Sequence, residues 1–420
     1  MRKLTADQLI DEVQKRAFTY FWTETDRTTG LTRDRADNFK PSGSEVASIA
    51  STGYALSALA IGVERDWVKK DEAYNRALST LQFLHSSMPN QHGWFYHFVD
   101  VKTGERAWNS ELSSIDTALL LCGILTIGQY FSDTDVDSFA QSIYARTDFK
   151  WMQTQGGLKT DQIFMPMGWS PEQGFFGGTW RDISECPVLY ILAMGSPTYP
   201  ITMEAWTNLN FNPSIVEGYE VLGGPEPLFI AQMPAGYFDY RSKRDSNGYD
   251  FWVNSVNAHL ANHAFCARNP ENFRTLSGTI WGFTASDEPP PAGYGAESDG
   301  IGQFDGTVAP SAAIASILFI PDIGTQSLLA LYGQYKDKLW GRYGFANAFN
   351  VDKNWYDRDV IGIDLGMTLV ALENHRTELI WNLTNNTKWI KAGMDAAGFH
   401  KTMETEPRPL YSEPNARTKD

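Results

Sequence analysis

The sequence predicts an all-α fold, an (α/α)6 toroid in which six inner helices are ringed by six outer ones and long loops carry the function. Three observations point there. Apolar residues recur at helical spacing along most of the chain. Almost wholly apolar, small-residue segments alternate with polar-faced ones, as buried inner and half-exposed outer helices would. Strand-like alternation is confined to short pieces such as Trp94–Val99 and Ile280–Thr284.

Leu9, Val13, Ala17 and Tyr20 mark the first helix, over 6–22. Val46, Ile49, Gly53, Leu56, Ala60 and Val63 step by three and four along the next. That segment is dense in Ala, Ser and Gly, so a neighbouring backbone can come close. A more polar helix over 67–87 follows, then an apolar face of Leu112, Ile115, Leu119 and Cys122. The spacing predicts further helices over 135–152, 186–194, 250–267, 311–319, 325–338, 364–383 and 385–397, with weaker pieces at 201–209 and 227–233. The total is about twelve. Loops at 153–183, 210–226 and 285–307 separate them, and loops that long within a compact domain are usually functional. About six helix pairs would use the whole chain. One domain over 1–420 is therefore expected, with its core at about 6–400 and a C-terminal tail at 401–420. A bundle of several helical domains is the alternative.

Composition narrows the function. The 420 residues hold 35 Lys+Arg against 50 Asp+Glu, a net charge of -15. A nucleic-acid-binding protein needs a basic face, and a polybasic membrane-surface protein needs one too. Aromatics at 13% and hydrophobics at 42% exclude disorder. Cys122, Cys186 and Cys266 are far apart and show no metal spacing, so no disulfide framework is expected. The N-terminus lacks an apolar signal core, and no run reaches the roughly 18 apolar residues of a spanning helix. The chain as given reads as soluble, and as periplasmic or secreted if a leader has been removed.

Carboxylates recur where the apolar helices begin. Glu111 and Asp116 lie in NSELSSIDTALLLCGIL, Glu185 in WRDISECPVLYILAMGSP, Asp305 in FDGTVAPSAAIASI and Asp364 in IGIDLGMTLVALENHR. In a toroid, one rim would gather them around a central pit. Capping of free N–H groups explains any one of them as readily. Asp116 resists that reading, because it sits inside an apolar stretch and a buried, unpaired carboxylate is costly. At Glu185 a helix N-terminus would lower the carboxyl pKa, whereas a general acid needs it raised.

Aromatics crowd the same loops. Phe176 and Trp180 precede Glu185, Trp281 precedes Asp287, Tyr294 follows it, and Trp355 precedes Asp364. Trp22 leads into a stretch containing Arg33, Asp34 and Arg35. Flat aromatic faces beside carboxylates and guanidinium groups suit sugars, although about half of these rings would simply plug loops onto the barrel. Other chemistries lack their motifs. His259 and His263 are an i, i+4 pair without HEXXH, and neither GxSxG, Walker nor GxGxxG patterns occur.

The segments SEVASIASTGYALSALAIG, SELSSIDTALLLCGIL, SECPVLYILAMGSPTYPI, WGFTASD, DGTVAPSAA and YGFANAFN, followed by WYDRDVIGID and ENHRTELIW, occur in a familiar order. Together, over roughly residues 6–400, the chain resembles the glycoamylase-like domain of bacterial β-1,2-glucan-active enzymes, nearest to the endo-β-1,2-glucanases of glycoside hydrolase family 144. The resemblance implies an (α/α)6 barrel that hydrolyses β-1,2-glucan to sophoro-oligosaccharides with inversion and without a metal or cofactor. It implies Glu185 as general acid, Asp364 on the base side, Asp116 as a required acid of the pit, and Asp287 as a substrate-pit acid. Glu111, Asp305, Trp22, Arg33, Phe176, Trp180, Trp281, Tyr294 and Trp355 complete the expected site. Relatives usually read GIDQGP where this chain has Leu365 and Met367, TASDGP where it has Glu288, and Asn-Glu-Ala where it has Ser184, Glu185 and Cys186. A sister specificity, such as exo-acting release of sophorose, is the nearest alternative.

The expected partner is the glucan or oligosaccharide alone, with a monomeric chain and neither nucleic acid nor membrane. A non-catalytic carbohydrate-binding toroid would keep the aromatics and tolerate loss of the acids. A polysaccharide lyase would need a basic cleft, which the net charge disfavours.

Overall fold

The computed structural model describes residues 4–41, 44–296 and 304–402. The segment 297–303 of the 285–307 loop and most of the expected tail lie outside the described residues.

Six buried helices form the inner ring: Ile49–Glu64, Ser114–Tyr130, Pro187–Met194, Phe229–Tyr237, Pro310–Ala315 and Gly362–Thr377. Every residue of Ile49–Gly62, Ser114–Gly128 and Pro187–Met194 is buried, which is why these segments carry almost no charge. Neighbours in the ring follow chain order, and the last helix closes onto the first. The fourth and fifth are tied by Gln232, which donates to the Ala312 carbonyl (2.9 Å). In front of each inner helix in the sequence stands an outer one: Ala6–Thr23, Lys70–Ser86, Asp135–Arg146, the short Glu204–Thr207, Phe251–Arg268 and Pro321–Leu339. The first starts with a capping box between Thr5 and Gln8 and buries Leu9, Val13 and Ala17 on one face. The architecture is the predicted α/α toroid.

Small residues set the closest approach. A Cβ on Gly123 would stand 1.9 Å from the Gly53 carbonyl oxygen, and one on Gly53 would stand 2.6 Å from that of Leu119. The inner helices Ile49–Glu64 and Ser114–Tyr130 therefore touch backbone to backbone.

Short antiparallel ladders pin the loops to one rim and run directly into inner helices. Val46–Ser48 pairs with Phe98–Asp100, Leu112–Ser113 with Gly168–Ser170, and Asp359–Ile361 with Arg35–Asp37. Two hairpins, Pro213–Val216 with Tyr219–Leu222 and Ala285–Glu288 with Gly293–Ala296, lie in segments read as loops. Ile280–Thr284, read as alternating, forms no strand, and all five residues are buried, so the apolar/polar alternation does not correspond to two faces.

Two long helices predicted from apolar spacing are broken. Residues 364–383 divide at Glu378, whose backbone is left-handed (φ 59°). Asn374 turns the chain there, accepting from the Trp381 N–H and donating to the Gly236 carbonyl. Residues 135–152 end at Arg146 and restart at Phe149, where Asp148 caps the Trp151 N–H (2.8 Å). The final helices, Leu379–Asn386 and Lys388–Ala396, pack against the C-terminal ends of inner helices. Trp381 and Thr384 there donate to the Ala235 and Tyr237 carbonyls, which have no partner within their own helix. The barrel is thus capped at one end, and its N-terminal helix ends face the other. Among the described residues no helix is long and apolar enough to cross a membrane. Cys122, Cys186 and Cys266 are all buried.

Candidate active site

A cavity of about 830 Å³ opens at the rim where the inner helices begin. Asp116, Glu185 and Asp364 all line it, with Glu111, Phe176, Trp180 and Tyr294. These seven expected residues are brought together from three inner-helix entrances and two loops.

Asp116 sits in the first turn of Ser114–Tyr130 but does not cap it. Ser113 does, accepting from the Asp116 N–H (3.2 Å), while its hydroxyl donates to Asp116 Oδ2 (2.6 Å). The partner that Asp116 required is His97, whose Nε2 lies 3.4 Å from Oδ1. The other ring nitrogen, Nδ1, is 3.0 Å from Glu111 Oε1. Burial disfavours charge on His97, yet Asp116, followed by Glu111, more than offsets it and raises its pKa to about 9. A cationic imidazolium therefore bridges two carboxylates. Those three side chains lie within 4.8 Å of one another, a spacing open to a metal ion. Both imidazole nitrogens already face carboxylates, so the imidazolium offsets one of the two negative charges from within.

Glu185 precedes Pro187–Met194. Burial pushes its carboxyl up to about 7; its own backbone N–H pulls the other way, and the Asp116 charge adds to the rise. Burial therefore outweighs the helix terminus. Asp364, only 3% exposed, lies in the first turn of Gly362–Thr377 and accepts from Asn347 Nδ2 (2.6 Å). It too is pushed up to about 7, by burial against the Asn347 hydrogen bond, with the Asp287 and Asp34 charges contributing.

Asp287 acts through neighbours of the pit. Its carboxylate holds Arg35 Nη1 (2.9 Å), and its backbone N–H donates to Asn347 Oδ1 (2.8 Å). Arg35 also reaches Asp34 (3.2 Å) and Asp359 (3.8 Å). Arg35 and Asp34 line the cavity, whereas Arg33 turns away to Glu24 (3.4 Å) and the Ser44 carbonyl (2.7 Å). Arg33 lies before the strand that starts at Arg35 and bridges Ala47 instead, and its guanidinium is held by Glu24 and Ser44 away from the acidic cluster.

Four other expected residues stand outside the cavity lining. Asp305 clasps Lys353 (2.5 Å) and the Thr307 N–H (2.8 Å). Trp22 is covered by the Arg76 guanidinium, 3.3 Å from its ring centroid. Trp281 is fully buried and donates to Ser327. Trp355 belongs to a small ladder with Asn350. Leu365 and Met367, where this chain departs from the family pattern, are buried and absent from the lining, so they pack behind Asp364. His259 and His263 bond the Ser255 and Gly278 carbonyls rather than a common centre.

An α/α toroid with carboxylates gathered at the N-terminal mouth of its inner ring defines the class. The family profile Glycoamylase, described as "Putative glucoamylase", matches residues 178–388, half of the chain, and the chain belongs to that family. A Bacteroides uniformis structure described as a "putative glucoamylase" is 29% identical (TM-score 0.88), covering 96% of this chain and 99% of that one. The endo-β-1,2-glucanase of Chitinophaga pinensis, solved with sophorotriose and glucose, is 25% identical (TM-score 0.87), covering 95% and 99%. An exo β-1,2-glucooligosaccharide sophorohydrolase of Parabacteroides distasonis is 25% identical, over 90% of this chain and 56% of its own length. The chain thus spans about half the length of that curated relative.

Proposed function

We propose that the protein is an inverting glycoside hydrolase acting on β-1,2-glucan, with Glu185 as general acid and Asp364 as general base. One observation carries the assignment. Glu185 enters the third of six inner helices and Asp364 the sixth, so they oppose one another in the ring, while both line one aromatic cavity. Asp116, on the second helix, is the near neighbour whose charge Glu185 feels.

In this reading Glu185 protonates the glycosidic oxygen as that bond breaks. Water attacks the anomeric carbon from the opposite face and gives its proton to Asp364. Inverting pairs stand apart by about 6.5–9.5 Å to admit that water, and a relay through the neighbouring 3-hydroxyl would tolerate a longer gap. Asp116, whose oxygens are already engaged by His97 and Ser113, serves as a fixed anion beside the positive charge that develops on the sugar.

The names of two similar proteins support the substrate class, and they differ on endo and exo action. We favour endo action that leaves sophoro-oligosaccharides; exo release of sophorose is the second reading, supported by the sophorohydrolase. A screen of β-1,2-, β-1,3-, β-1,4- and α-glucans with product sizing tests both. Cleavage of β-1,2-glucan alone, abolished in Glu185→Gln, is expected. A ladder of early products marks endo action and a single disaccharide exo action. Hydrolysis of another glucan in preference, or near-normal rates in Glu185→Gln, would overturn the assignment.

A further inference from the structure

Trp108 is 65% exposed, yet it lines the cavity. Its backbone and that of Asn109 are both left-handed (φ 53° and 51°), a conformation that disfavours residues with a Cβ. Two such residues in succession need a reason, and they cluster where a side chain must be aimed. The turn is held firmly. Arg106 donates to the Asn109 carbonyl (2.6 Å) and the Ser110 carbonyl (2.5 Å), and it binds Glu172 (2.7 Å) on the facing loop. Ser110 Oγ donates to the Phe98 carbonyl (2.9 Å).

The indole leans on a stacked pair of rings. Trp108 packs on Phe98 with ring centroids 5.1 Å apart, and Phe98 lies flat on His97 at 3.8 Å. His97 in turn contacts Asp116 and Glu111. The indole therefore leans at 55° on the wall of the acid cluster while much of the ring stays open to water. A ring present only to fill space would be covered. This one is pre-positioned and left bare.

The geometry points to Trp108 as a sugar platform at the cavity mouth, an outlying subsite on which a glucosyl unit of a β-1,2-linked chain stacks through its C–H face. The inference rests on the function proposed above and adds a subsite to it.

The test compares Trp108→Ala, Trp108→Leu and Trp108→Phe with wild-type enzyme on β-1,2-glucan and on β-1,2-linked oligosaccharides of increasing length. KM in the Ala and Leu variants should rise about tenfold for long chains, corresponding to one stacking contact of about 1.4 kcal/mol, and change little for the shortest cleaved chain. Trp108→Phe should recover most of the loss. Should Trp108→Ala fail to fold, Leu against Phe still separates an aromatic face from apolar bulk. An active wild type whose Leu variant matches it at every chain length overturns the platform alone. A wild type inactive on every β-1,2-linked chain overturns the proposed function, and the platform with it.

Discussion

At Glu185 the helix terminus and the low dielectric of the pit act in opposite directions, and burial prevails at about 7. The roles proposed for Asp364 and Glu185 fix the sign of the pH dependence. Asp364 must be ionised to take a proton, so the rate falls as pH drops below about 7. Glu185 must be protonated to donate one, so the rate falls as pH rises above about 7. A narrow bell in kcat/KM centred near neutral pH is expected, with kcat about 10²–10⁴-fold lower in Glu185→Gln or Asp364→Asn. Stability has its own sign. The fold favours protonated Glu185, a contribution complete below its ordinary value of 4.5 and lost as pH rises through about 7. Glu185→Gln should therefore melt higher than wild type at about pH 8, by about 1–3 kcal/mol, and nearly unchanged at about pH 4. Asp116, Glu185 and Asp364 were legible because each carboxylate interrupts or introduces an apolar helix. His97 was not, since its partners stand 14 and 19 positions away and nothing local in HFVD announces them. Choosing Arg33 over Arg35 missed the pairing of Arg35–Asp37 with Asp359–Ile361, a tertiary contact that brings Arg35 to Asp287 and Asp359 and that nothing local announces.

Inner helices announce themselves by composition, because their close approach demands small residues. Gly53 and Gly123 show the constraint most directly. Gly123→Val would force the two helices apart, and a loss of at least about 1–3 kcal/mol is expected in denaturant melts. Equal stability would mean that the helices do not touch there. The interruptions were harder to read. Apolar spacing continues through Glu378, and the break depends on Asn374 finding partners in Gly236 and Trp381. Such a junction is tertiary in origin and leaves little trace in periodicity. The hairpin Ala285–Glu288 with Gly293–Ala296 is a similar case: its backbone pairs on itself, and its sequence carries turn residues without alternation.

Across the whole molecule the two ends of the barrel have different tasks. One is sealed by Leu379–Asn386 and Lys388–Ala396, of which the first supplies donors to buried carbonyls at the end of an inner helix. The other holds the carboxylates. Trp381→Phe removes the donor to Ala235 and should cost about 1–3 kcal/mol of stability while leaving kcat/KM within error, because it stands at the sealed end. A change in pH profile instead would show that the two ends are coupled. The acid surplus of the sequence takes on local meaning at the open end, where His97 and Arg35 are the cations that let so many carboxylates share one pit. The opposition of Glu185 and Asp364 across that pit is the central claim, and the stereochemistry of the first product tests it most directly. Proton NMR of β-1,2-glucan during early hydrolysis should show the new reducing end appearing first as the α-anomer and then mutarotating. First appearance of the β-anomer would contradict the opposed acid and base.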